Sequence, residues 1–166
     1  MAIKDAFIAE LKHESLLTKK MLEKVPLNKK DWKPHEKSMT VGRLATHLAE
    51  TVHWISDIRH IDDFDFAKDY NFEPHTAASM EELLQIFQTH LDKANNDLSS
   101  MSDEDFDKIW TVRNGAQINF QAPKKVAIRG WAFSHMIHHR GQLSVYLRLL
   151  DIPVPGMYGP SADEKM

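Results

Sequence analysis

The sequence predicts an all-α protein, a four-helix bundle with a small hairpin or extended excursion before the last long helix. Three observations carry this reading. Four long stretches repeat apolar residues at helical spacing. Loops marked by Pro, Asn and Asp separate them. One segment alone, residues 110–120, breaks the helical period. At 166 residues the chain fits one domain, 1–166, and is long enough to bury a core. It contains no internal repeat and no low-complexity segment.

The first helix runs from about Ala2 to Lys24, with Ile3, Phe7, Leu11, Leu17, Met21 and Leu22 on one stripe, and Pro26 closes it. Residues 28–37 are polar and read as a loop, within which Trp32 serves as an anchor to the core. The second helix opens at Thr40, a good N-cap, and carries Val41, Leu44, Leu48, Val52, Ile55 and Ile58. A loop from about Ile61 to Ala78 is rich in Asp and aromatics; Phe64, Phe66, Tyr70 and Phe72 suggest that it packs across the body. The third helix begins at Ser79, where Ser79-Met-Glu-Glu82 has the pattern of a capping box, and continues through Leu83, Leu84, Ile86, Phe87, Leu91, Ala94 and Leu98. Ser102-Asp-Glu-Asp105 caps one further short turn. Asn114-Gly115, between two β-prone runs, is a hairpin signal. Pro123 starts the last helix, about residues 124 to 151. Gly130 and Gly141 lower its intrinsic propensity, although glycines in a bundle also let helices approach closely. The tail from Ile152 to Ser161 holds too many prolines and glycines to be helical and must run extended over the surface.

Composition narrows the function. The chain is 42% hydrophobic and 27% charged, ordinary for a soluble globular protein. A net charge of −3 argues against a general nucleic-acid-binding surface. With no cysteine, disulfides, thiolate metal sites and a cysteine nucleophile are excluded. No apolar run reaches the length of a membrane span, and the first residues lack a signal-peptide layout, so a cytoplasmic location is expected.

The chemistry-bearing stretch is His135-Met-Ile-His-His139-Arg-Gly-Gln142. His135 and His139 stand four residues apart, one helical turn, on one face, from which two imidazoles can grip one metal ion. Two ligands rarely suffice; His47, beside the apolar stripe of the second helix, is the third candidate. Two ligands from one helix and one from another is a familiar way to build a site in a bundle core. With ten histidines in the chain, chance alone supplies about 0.6 such spaced pairs, so the pair is weak evidence in isolation. Read from the residues alone, core-edge histidines bonded to neighbours remain the alternative. His138 points to another face, and His13, His35, His75 and His90 read as surface or loop residues. Asp62, Asp63 and Asp65 read as a solvated acidic loop. Absent are the His-Glu-x-x-His of zinc proteases, a Gly-x-Ser-x-Gly elbow and a phosphate-binding glycine loop.

The string from His135 to Arg148, followed by Ile152-Pro-Val-Pro-Gly-Met-Tyr-Gly159-Pro, resembles the C-terminal signature of the DinB/YfiT-like family. The run from Ser38 to Glu50, with a His-Leu pair after a Thr-x-Gly start, is similar to that family's helix-two motif; Trp32 and Pro34 fit its Trp-x-Pro loop. The resemblance covers the whole chain. It implies a four-helix bundle that holds a divalent metal, usually nickel or zinc, on His47, His135 and His139. It also implies a frequent homodimer. Family members of known activity handle thiols, among them bacillithiol S-transferases and mycothiol-dependent maleylpyruvate isomerases; others are described as metal-dependent hydrolases.

Two functional expectations follow. In the first the chain is an enzyme. A low-molecular-weight thiol, activated by the metal, attacks a small electrophilic substrate, in keeping with a chain that has no cysteine of its own. Arg140, Gln142, Arg148 and Tyr158 are candidates for positioning substrate. A hydrolase variant needs a carboxylate base, for which Glu50, one turn after His47, is the candidate. In the second, the bundle is a non-catalytic, stress-related metal-binding module.

Overall fold

The computed structural model describes residues 2–69 and 73–164. Four helical segments form its body. The first is α1 (Ile3–Leu22). The second is α2 (Val41–Glu50), which passes through a single 3₁₀ turn at Thr51–His53 into α3 (Trp54–His60). The third is α4 (Met80–Ser100). The fourth is α6 (Lys124–Ala127), a π-helical segment Ile128–Phe133, and α7 (Ser134–Leu149), after the short α5 (Asp103–Asp107). α1 and α2 each pack against both α4 and α7. No helix among the described residues is long and apolar enough to cross a membrane.

The expectation of an all-α protein needs one correction. The fold is mostly helical but carries a three-stranded sheet, ordered β1 (Asp63–Asp65), β2 (Ile109–Asn114), β3 (Gln117–Pro123). The hairpin falls where Asn114-Gly115 announced it, one step along. Asn114 pairs with Gln117, so Gly115 and Ala116 form the loop, and Gly115 takes a φ of +58°. Glycine at the first loop position is what a type II′ turn requires. The third strand came from the acidic loop: β1 pairs in parallel with β2, Phe64 opposite Val112. A three-residue Asp-Phe-Asp strand gives no periodic signal, and a parallel partner 48 positions later leaves no local trace. The acidic side chains are spoken for. Asp62 and Asp63 pair with Lys124 and Arg113, and Asp65 accepts from the backbone N–H groups of Ala67 and Gly115. Phe64 is buried and Phe66 half-buried against the core, as expected; Tyr70 and Phe72 lie outside the described residues.

The caps follow the sequence with one variation. The Thr40 hydroxyl accepts from Arg43 N–H, and Ser102 with Asp105 forms a complete capping box. Ser79 accepts from Glu82 N–H, but the Glu82 carboxylate reaches the N–H of Ala78, one residue further out, and takes His75 as a second partner. Trp32 docks edge-on to Tyr146, ring centres 5.7 Å apart.

The glycines of the last helix are not contact points. A Cβ at Gly130 or Gly141 would meet nothing within 4 Å. The close approach is at Gly42, where a Cβ would stand 2.7 Å from Lys30 Cβ and 3.0 Å from the Lys30 carbonyl oxygen. Gly42 N–H donates to that carbonyl, locking the start of α2 onto the preceding turn.

Candidate metal centre

The π-helical segment sets the stage for the histidines. A π turn inserts extra residues and shifts the helix face downstream of it. Trp131, inside it, packs its ring 5.8 Å from both Trp54 and Trp110, which joins α3, β2 and the last helix into one aromatic wedge. Trp54 in turn meets Phe64 of β1 at 5.5 Å. The small sheet thus buttresses the helix one turn before His135.

Beyond that wedge, α7 presents His135 and His139 to α2, which presents His47. Ligand-capable atoms of the three lie within 4.8 Å of one another. The Nε2 atoms of His47 and His135 are 3.3 Å apart. The three ring centres are separated by 5.3, 4.5 and 4.6 Å. The convergence expected from the sequence is present, and His139 is the most enclosed of the three, 7% exposed.

Burial keeps these imidazoles neutral. Desolvation is the largest cause, reinforced by the neighbouring histidines; it lowers His47 to about 3 and His135 to about 4. Desolvation also lowers His139, partly opposed by its bond to Gln142. At neutral pH all three carry lone pairs rather than charge, as metal ligands must. A divalent ion fits the spacing. Two imidazole nitrogens about 2.0–2.1 Å from one tetrahedral ion stand roughly 3.3–3.4 Å apart, and 3.3 Å is the His47–His135 separation.

The groups behind the ligands differ. Gln142 Oε1 stands 2.8 Å from His139 Nδ1. Glu50 Oε2 stands 3.9 Å from His47 Nδ1 and is gripped at 2.8 Å by Arg43 Nη2. Glu50 therefore adjoins the site, on the side of His47 away from His135's nearest nitrogen. Among the described residues, His135 Nδ1 has no hydrogen-bond partner.

The other residues singled out from the sequence go elsewhere. Arg140, 2% exposed, turns into the bundle and donates to Glu14, Thr18 and the Tyr158 hydroxyl, which itself donates to Glu14. Arg148 forms a two-pronged pair with Asp163. These three side chains secure the tail and the core, and none is in the histidine cluster. His138 is exposed. His53, held by the Glu50 carbonyl and Asp57, faces His90 with ring centres 5.6 Å apart. Sequence reading missed Arg43 and Glu14. Arg43 had a findable signal: it lies one turn before His47 and two before Glu50 on a single helix face. Glu14 had none, since its partner is 126 residues away.

Fold and site together define a helical protein with a trihistidine site suited to a divalent metal. A model of the DinB family matches residues 2–165, and the chain belongs to that family. It is similar to an uncharacterized protein of Bacillus subtilis (strain 168), YrdA, at 27% identity over 166 residues, spanning 96% of this chain and 90% of that one. A crystal structure of a DinB-like protein from Bacillus cereus ATCC 10987 shares the fold with a TM-score of 0.70 and 22% identity, covering 93% of this chain and 97% of the other. A second, the DinB-like protein YjoA from Bacillus subtilis, matches with a TM-score of 0.66 and 18% identity over 96% of this chain and 98% of that one.

Proposed function

We propose that this protein is a divalent-metal-dependent enzyme of the thiol S-transferase type, with nickel or zinc held by His47, His135 and His139. The observation that carries the reading is the convergence of three neutral imidazoles from two helices, with no protein carboxylate or thiolate among them. A bound ion would act as a Lewis acid, lowering the pKa of a thiol or water that it meets. Three protein ligands leave room for such an exogenous group. In the reaction a low-molecular-weight thiol R–SH and an electrophile R′–X give R–S–R′ and HX: the C–S bond forms as C–X breaks, and the thiol proton leaves with X. The chain has no cysteine, so the sulfur comes from the cosubstrate.

Transfer is favoured over hydrolysis by the position of Glu50. Its carboxylate is paired to Arg43 and turned to His47 Nδ1. In this reading Glu50 orients a ligand histidine, a role in which carboxylates behind ligands commonly serve, and is not a free base. A homodimer belongs to the same proposal and is read by light scattering.

Metal content of untagged protein by mass spectrometry tests the reading, beside a His135→Ala/His139→Ala variant. Near one equivalent in the native protein, lost in the variant, is expected, followed by metal-dependent consumption of a small thiol against a model electrophile. No binding of offered nickel or zinc overturns the metal reading. Metal without thiol transfer, but with ester or amide cleavage, replaces transferase by hydrolase.

A further inference from the structure

The three ligand candidates are not braced alike, and the brace on His139 is unusual for its place. Gln142 lies on the solvent side of α7 and is itself exposed, yet its amide oxygen turns to the buried ring one turn back, 2.8 Å from Nδ1. An amide oxygen only accepts, so Nδ1 carries the proton and the lone pair stands on Nε2. The ring is enclosed, and at 2.8 Å the Gln142 oxygen is the side-chain partner that selects its tautomer. Neither other histidine has an equivalent contact: the Glu50 carboxylate is 3.9 Å from His47 Nδ1 and already engaged by Arg43.

We propose that Gln142 is a positioning residue, which fixes the tautomer and ring angle of His139 so that its Nε2 faces His47 and His135, and does so without adding charge. The inference rests on the metal reading above. A neutral brace has a purpose: it adds no negative charge behind His139, and the one carboxylate near the ligands, Glu50, is paired to Arg43, so the ion's double charge is left for an anionic exogenous ligand such as a thiolate.

Cobalt(II) binding, titrated against a competing chelator and followed by its visible spectrum, tests this on the full chain. Gln142→Leu, which removes the acceptor, should weaken cobalt about 10–100-fold, the range expected for a residue supporting a ligand. It should also alter the spectrum, while the melting temperature of the metal-free protein stays unchanged. Gln142→Glu keeps an acceptor in the same position and should restore the affinity. Cobalt affinity of Gln142→Leu within twofold of native overturns the brace while leaving the metal site standing. So does a Gln142→Glu variant as weak as Gln142→Leu. Failure of the native protein to bind cobalt, nickel or zinc overturns the metal reading, and the brace with it.

Discussion

Adjacent residues on a helix diverge by about 100°, and His139-Arg140 shows what that does. His139 turns to α2 and the histidine cluster, whereas Arg140 turns to α1 and is buried against Glu14, Thr18 and Tyr158. Removing one member of a buried ion pair leaves the other charge without a partner, at a cost of about 3–5 kcal/mol. Glu14→Ala is therefore expected to lower the unfolding free energy by that amount in urea titrations. Tyr158→Phe removes one hydroxyl from a network that otherwise stays paired and should cost only about 0.5–1.5 kcal/mol. Equal losses would mean that Arg140 finds another acceptor. At this scale the histidines were legible, because His135 and His139 announce their shared face by spacing, and His47 stands beside the apolar stripe of the second helix, where the family motif also placed it. The inward turn of Arg140 was not, because it depends on a glutamate that no local pattern links to it.

The elements divide in the same way. Stripes and caps are local, so the helices could be read with their starts at Thr40 and Ser79. Strand β1 could not, because it exists only through its pairing with β2. Nor could the π segment, whose apolar pattern differs from that of an α-helix by a phase shift within one turn. Two substitutions test how the elements are joined. Gly42→Ala would drive a methyl into the Lys30 turn and should destabilise by about 1–3 kcal/mol. At the other end of the fourth segment, α7 closes with Ile152 N–H on the Leu147 carbonyl and Asp151 N–H on the Arg148 carbonyl, a Schellman pattern. Asp151 occupies its left-handed position, φ 57°. Glycine takes that conformation without the penalty of roughly 1–2 kcal/mol that a side chain imposes. Asp151→Gly should accordingly raise stability by up to about 1 kcal/mol in the same titrations, and a loss would show that the side chain holds the tail.

For the whole molecule, a metal bound at the histidine cluster would be linked to the fold by mass action. An ion that binds only the native state, at a hundred times its dissociation constant, adds about 2.7 kcal/mol. Nickel or zinc should thus raise the melting temperature of the metal-free protein by several degrees, and the His135→Ala/His139→Ala variant should lose that shift. An equal shift in both would place the ion on some other group of histidines.

The clasp between α1 and the tail also bears on synthesis. Glu14 leaves the ribosome long before Tyr158 and Asp163, 144 positions separating the first two. Domains generally fold as units, so the clasp waits for the tail. A chain cut short before residue 158 would keep the Arg140–Glu14 pair without its phenol, and α7 without the aspartate that pairs with Arg148. Its three clustered histidines would all be present, the last of them at residue 139. The last part of the chain to be made therefore closes the body onto the segment made first.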